Sequence, residues 1–109
     1  MIAITGAGIV SAIGHNTAEV LASLRQATDG IAPVRQLDTR HRELPVGEVK
    51  LTNAELAEQT GAAAEVQSRT ALLGILALGE ALAQAGLTAA DLPTTALVSG
   101  TTVGSMDVV

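Results

Sequence analysis

The chain has 109 residues, room for one small domain, and at 48% hydrophobic and 16% charged it is too apolar for a disordered segment. A net charge of −5, with one Lys and five Arg, excludes the basic footprint of a nucleic-acid binder, and the lack of Phe, Tyr and Trp removes the stacking platforms that single strands need. With no Cys, the chain has no disulfide, no thiolate metal site and no cysteine nucleophile of its own. Aromatic side chains bury the most surface per residue. An apolar chain without them is expected to complete its core against more protein, either a downstream segment or a partner chain.

In chain order, Ile2 to Thr5 reads as a short buried strand ended by a tight turn at Gly6-Ala7-Gly8. Ile9 to Ile13 is apolar again and Gly14 closes the loop. This opening has no positive n-region and glycines interrupt it, so it is not a signal peptide. The most apolar stretch, Thr70 to Gly79, is shorter than the roughly 20 residues a membrane span takes. A soluble, cytoplasmic protein is expected.

Asn16 is a suitable N-cap with Glu19 three residues on, and Val20, Leu21 and Leu24 follow helical spacing. A helix is predicted over Thr17 to Ala27, stopping at Thr28-Asp29-Gly30. From Ile31 to Lys50, Pro33, Pro45 and many charged residues predict an exposed excursion, with Val46 to Val49 as its best strand candidate. Thr52 and Glu55 form a capping box for a helix to about Thr60, stopped by Gly61. Ala63 to Ala85 is the strongest helix, apolar on nearly all sides and therefore expected to be buried. Gly74 and Gly79 cost helix propensity, so another element is expected to approach closely there. Gly86 supplies the stop. Thr88 to Leu92 is predicted as one helical turn, and Thr95 to Ser99 as a second buried strand. Gly100 to Ser105 is a small-residue loop, and a further helix is expected to begin near Met106.

Four features are candidates for chemistry. Thr5-Gly6-Ala7-Gly8 is the kind of turn that cradles a pyrophosphate. The dinucleotide fingerprint, however, has Ser11 at its third glycine, and the short-chain dehydrogenase pattern has Val10 and Ala12 at its later glycines. The second strand of such a unit is broken by Ile31-Ala32-Pro33. The other reading is a turn that needs small residues for close backbone approach. His15 and His41 stand apart from any acid cluster and read as solvated surface residues rather than metal ligands. Arg69 opens an apolar run, where it either finds an acidic or carbonyl partner or snorkels to water. The loop from Gly100 to Ser105 suits a channel lining or a packed interface, with Val103 facing the cavity or the neighbour.

Three ordered segments resemble the elongating β-ketoacyl-acyl-carrier-protein synthases of the thiolase-like fold. Ile4-Thr5-Gly6-Ala7-Gly8-Ile9-Val10-Ser11-Ala12-Ile13-Gly14 resembles the family's opening V-T-G-x-G-x-V-S-P-x-G. Gly30-Ile31-Ala32-Pro33, with Leu37-Asp38 and Gly47-Glu48-Val49, follows in register. Arg69, then Glu80 to Leu87, then Ser99-Gly100-Thr101-Thr102-Val103-Gly104-Ser105 resembles the stretch ending in G-T-G-x-G-G. The match covers essentially the whole chain. Ala12 replaces the usual proline, and Thr102 and Ser105 replace glycines.

The resemblance implies an α/β fold, here an incomplete part of a thiolase-like αβαβα layered architecture. Residues 1–109 would be the N-terminal segment of the ketosynthase N-terminal domain, without its nucleophile region. It implies a cysteine at a helix N-terminus that takes an acyl chain, and two histidines that serve decarboxylation of malonyl-carrier protein. A helix dipole activates such a thiolate and backbone donors hold the oxyanion. All these groups are expected downstream, so no catalytic or metal-binding residue is assigned in this chain and no cofactor is expected. Gly100, Thr101, Thr102, Val103 and Gly104 are expected at the acyl pocket or an interface, and Gly6, Gly8 and Arg69 in structural roles. The expected partners are acyl carrier protein, acyl and malonyl thioesters, and a second ketosynthase subunit in a homodimer or heterodimer. Neither nucleic acid nor membrane is expected. A non-catalytic partner of chain-length-factor type, and a nucleotide-binding domain using Gly6 to Gly8, are the alternatives.

Overall fold

A computed structural model describes residues 1–66 and 68–106. Within it, α1 spans Thr17–Arg25, α2 Asn53–Thr60 and α3 Arg69–Ala85. Two short strands, β1 (Ala32–Pro33) and β2 (Pro45–Val46), pair antiparallel with Ala32 opposite Val46. A 3₁₀ turn, Leu92–Thr94, follows α3 and contains Pro93.

The helix ends follow their capping chemistry. Asn16 accepts from the Glu19 amide, and Thr52 and Glu55 form the full reciprocal box. Gly61 and Gly86 close α2 and α3 with left-handed φ of 62° and 72°. At α1 the same closure falls on Ala27, at φ 54°. The Thr28 amide donates to Ser23 O and the Ala27 amide to Leu24 O, so the helix stops at Arg25, two residues before the predicted end. The left-handed region costs an L-residue about 1–2 kcal/mol, and glycine gives back about 0.4–1 kcal/mol through the unfolded chain. Ala27→Gly should therefore raise stability by about 0.5 kcal/mol in a urea titration.

The core lies between α2 and α3. Leu51, Leu56 and Leu72 are buried, with Val49, Ala57, Ala62, Val66, Leu73 and Leu76 against them. Each fully buried leucine contributes about 2 kcal/mol by removal from water. Val20 and Val34 are buried separately.

Several expectations are corrected. Ile2 and Ile4 are exposed, as are Leu97 and Val98, and neither Ile2–Thr5 nor Thr95–Ser99 is a strand. A strand exists only with a neighbour to pair with, and among the described residues neither segment has one. The described residues form a small mixed helix-and-strand α/β unit. The long helix starts at Arg69, because Ser68 caps it, and not at Ala63. It is not buried all round: Ile75 and Leu78 are exposed, although α2 packs along α3. A Cβ at Gly74 or Gly79 would meet open space, so the expected close approach is not there. The predicted continuation beyond Met106 lies outside the described residues.

Candidate functional site

The close approach occurs elsewhere on α3. A Cβ on Gly6 would sit 2.2 Å from Ala81 O, and one on Gly8 would sit 1.9 Å from Ala77 O. The N-terminal segment therefore crosses α3 in backbone contact, over its small residues Ala77, Ala81 and Ala85. Two polar side chains one helical turn apart complete the contact. Gln84 Oε1 accepts from the Ala7 amide at 2.6 Å, and Glu80 Oε2 accepts from the Ile9 amide at 3.0 Å. Glu80 Oε1 also accepts from the Thr17 amide and hydroxyl at 2.8 and 2.7 Å. One carboxylate thus joins the N-terminal segment, α3 and the first turn of α1, where negative charge is favoured.

This geometry decides the role of the glycine turn. The amides of Ala7 and Ile9 are already taken, and a carboxylate stands beside them. Gly6 and Gly8 serve backbone approach, and the turn is not arranged as a phosphate cradle.

The excursion from Ile31 to Lys50 is held in the same manner. Glu48 accepts from the backbone amides of Arg35, Gln36 and Leu37, at distances of 2.8 to 3.1 Å. Lys50 Nζ donates to Ala12 O at 3.0 Å and Gly30 O at 2.8 Å. Arg69 forks: Nη1 donates to Leu51 O and Asn53 Oδ1 at 2.8 and 2.9 Å, and Nη2 to Val49 O at 2.7 Å. Of the two roles read for Arg69, the structure adopts the carbonyl-partnered one.

The two clamping carboxylates are more acidic than usual. For Glu80, the bonds from the Thr17 amide, the Thr17 hydroxyl and the Ile9 amide lower the pKa. For Glu48, desolvation is the largest influence and raises it, but the amides of Arg35, Leu37 and Gln36 with the Arg69 charge outweigh it. A depressed folded pKa gives stability that is present above the unfolded value of about 4.3 and lost as pH falls through the folded one. Amide protection at Ile9, Thr17 and Leu37 should therefore fall on acidification below about pH 4, ahead of the buried core at Leu56. Equal loss at all four positions would contradict the clamp assignment.

At the other end of α3, Ser68 Oγ donates to Ser105 Oγ at 2.7 Å, and Thr70 Oγ1 to Gly104 O at 3.2 Å. The Gly104 amide donates to Thr101 Oγ1 at 3.1 Å, and Gly104 has φ 67°. Val103 is exposed, and nothing lies within contact distance of a Cβ on Gly100. Gly6, Gly8 and Arg69 are thus brought onto α3 and its start, and the Gly100–Ser105 loop onto its N-terminus. His15 and His41 stay apart from these contacts, each near one carboxylate, Glu19 at 3.8 Å and Glu43 at 3.6 Å. Among the described residues no group of three or more His, Asp or Glu could hold a metal ion. No helix there is long and apolar enough to cross a membrane.

The clamping residues Glu48, Lys50, Glu80 and Gln84 were not singled out by sequence reasoning. Glu80 and Gln84 did carry a signal: two acceptors at i and i+4 on an otherwise apolar helix. Glu48 and Lys50 carried none, since alternate charged residues in a loop read as solvated.

Residues 1–107 match the family described as beta-ketoacyl synthase, N-terminal domain, and the chain belongs to that family. It is 37% identical over 106 residues to 3-oxoacyl-[acyl-carrier-protein] synthase 1 of Escherichia coli (strain K12), covering 94% of this chain and 26% of that protein. To the protein of the same name from Haemophilus influenzae it is 35% identical over 105 residues, covering 94% of this chain and 25% of that protein. The chain thus spans about a quarter of the length of these curated relatives. No solved structure gives a significant match.

Proposed function

We propose that this chain is the scaffold and acyl-pocket part of a β-ketoacyl-acyl-carrier-protein synthase. Such an enzyme joins an acyl thioester to malonyl-carrier protein by decarboxylative Claisen condensation, in fatty acid or polyketide synthesis. The family match over residues 1–107 carries the reading. The chain acts as the N-terminal segment of the ketosynthase N-terminal domain. Having no Cys, it provides no cysteine nucleophile, and the family's catalytic Cys and His are expected downstream. Gly100, Thr101, Thr102, Val103 and Gly104 form a loop beside the acyl tail, where the chain contributes shape and not chemistry. Gly6, Gly8 and Arg69 hold the scaffold. The complete enzyme works in the cytoplasm with acyl carrier protein and pairs with a second ketosynthase subunit.

The substitutions at Ala12, Thr102 and Ser105 and the lack of aromatic residues also fit a second reading, a non-catalytic subunit of chain-length-factor type. One assay separates the two. The protein expressed from its complete reading frame is incubated with acyl- and malonyl-carrier protein. Carbon dioxide release with a 3-oxoacyl product supports the enzyme. Product formed only after addition of a complete synthase subunit supports the partner. No product in either case overturns both.

A further inference from the structure

We propose that the hydroxyls of Ser105 and Thr70 latch the Gly100–Ser105 loop to the N-terminus of α3 and make Thr70 a positioning residue for acyl-chain selection. The inference rests on the pocket reading above and adds to it how the loop is held.

The loop has little of its own to fix it. Its members are small, Val103 is its one larger apolar side chain, and that side chain is exposed. Around Gly104 the chain turns through a left-handed residue, closed internally by the Gly104 amide on Thr101 Oγ1. Its two long-range side-chain hydrogen bonds among the described residues both go to the first turn of α3. Thr70 Oγ1 reaches Gly104 O across 34 positions in sequence, and Ser68 Oγ reaches Ser105 Oγ across 37. Ser68 serves twice: it accepts from the Ala71 amide as the helix N-cap and donates to the loop. Any movement of α3 at its start is therefore passed to Gly104 and Ser105, the two residues after Val103.

α3 is itself fixed at the same end by Arg69, the residue between Ser68 and Thr70. The latch is thus anchored on a clamped turn, the arrangement in which a weak polar contact best defines a loop position. A loop held by two neutral hydrogen bonds keeps one shape for the acyl tail. Released, it samples several shapes and discriminates chain lengths less.

The test avoids Ser68, because losing the cap would weaken α3 directly. In the complete protein, Ser105→Ala removes the partner of Ser68 and leaves the cap. Thr70→Val removes the other donor isosterically, and Thr70→Ser restores it. Amide exchange is followed at Gly104, and product chain lengths are followed with a series of acyl-carrier proteins. Each single variant is expected to exchange about two- to tenfold faster at Gly104, the range set by loss of one neutral hydrogen bond, and the double variant faster still. Its preference between adjacent chain lengths should flatten by a similar factor, and Thr70→Ser should recover most of it. Unchanged exchange overturns the latch. Faster exchange with an unchanged chain-length profile, in a protein whose profile does respond to Val103→Trp, overturns its role in selection while the pocket reading stands. A profile that ignores Val103→Trp as well removes the pocket reading and the inference with it.

Discussion

Gly8→Val is expected to lift the N-terminal segment off α3 and to cost about 3 kcal/mol or more of stability. The added Cβ would lie 1.9 Å from Ala77 O, 2.9 Å from Ala77 C and 3.0 Å from Ala81 N. All three are backbone atoms of a helix, so no rotamer change relieves the clash. The segment must move instead, and it takes the Ile9 amide away from Glu80 and the Ala7 amide away from Gln84. Urea unfolding reads the loss, and amide exchange at Ala7 and Ile9 reads its location. A change within about 0.5 kcal/mol, the range of ordinary surface substitutions, would show that the contact is not tight.

Arg69→Met is expected to cost about 3 kcal/mol, because it strands several acceptors at once. The guanidinium bonds two main-chain carbonyls, Val49 and Leu51, and the Asn53 side chain at the start of α2. Bonds from a charged donor are worth about 1.5–3 kcal/mol each, and Arg69 is only half-buried, which argues against summing them. Met keeps an aliphatic stem of similar reach, so the change removes the guanidinium with little loss of apolar side chain. Arg69→Lys should recover only a small part, since a single ammonium cannot reproduce the fork. Full recovery by Lys would mean that charge, and not geometry, is what Arg69 supplies.

Local chemistry made much of this chain legible from its sequence. The Thr52–Glu55 box, the Asn16 cap and the glycine stops at Gly61 and Gly86 depend on neighbours within a few residues, and all four stand in the structure. The β-strand readings at Ile2–Thr5 and Thr95–Ser99 do not hold because pairing is non-local: a short apolar run states a need for a neighbour without providing one. Gly74 and Gly79 misled for a related reason. Their cost to the helix was visible, but the tight contact is made by Gly6 and Gly8 on the opposite partner, against alanines on α3. The clamps were the least legible part. Glu48, Lys50 and Glu80 act on backbone groups of distant segments, and the sequence of a carboxylate or an amine does not say which amides or carbonyls it will meet.

These clamps give the chain a consistent physical character. Its regular elements among the described residues are few, and charged or polar side chains fasten long irregular segments to one another and to α3. Lys50, its one lysine, holds carbonyls of Ala12 and Gly30, while Glu80 joins three segments. A scaffold fixed in this way can present a small-residue loop in a defined place without a large core beneath it.

The central claim, that this chain shapes an acyl pocket, is tested most directly by Val103→Trp in the complete protein. The measurement is the distribution of product chain lengths from a series of acyl-carrier proteins. A shift to shorter chains is expected, as the larger ring fills space beside the tail. A folded variant whose chain-length distribution matches that of the parent protein would contradict it.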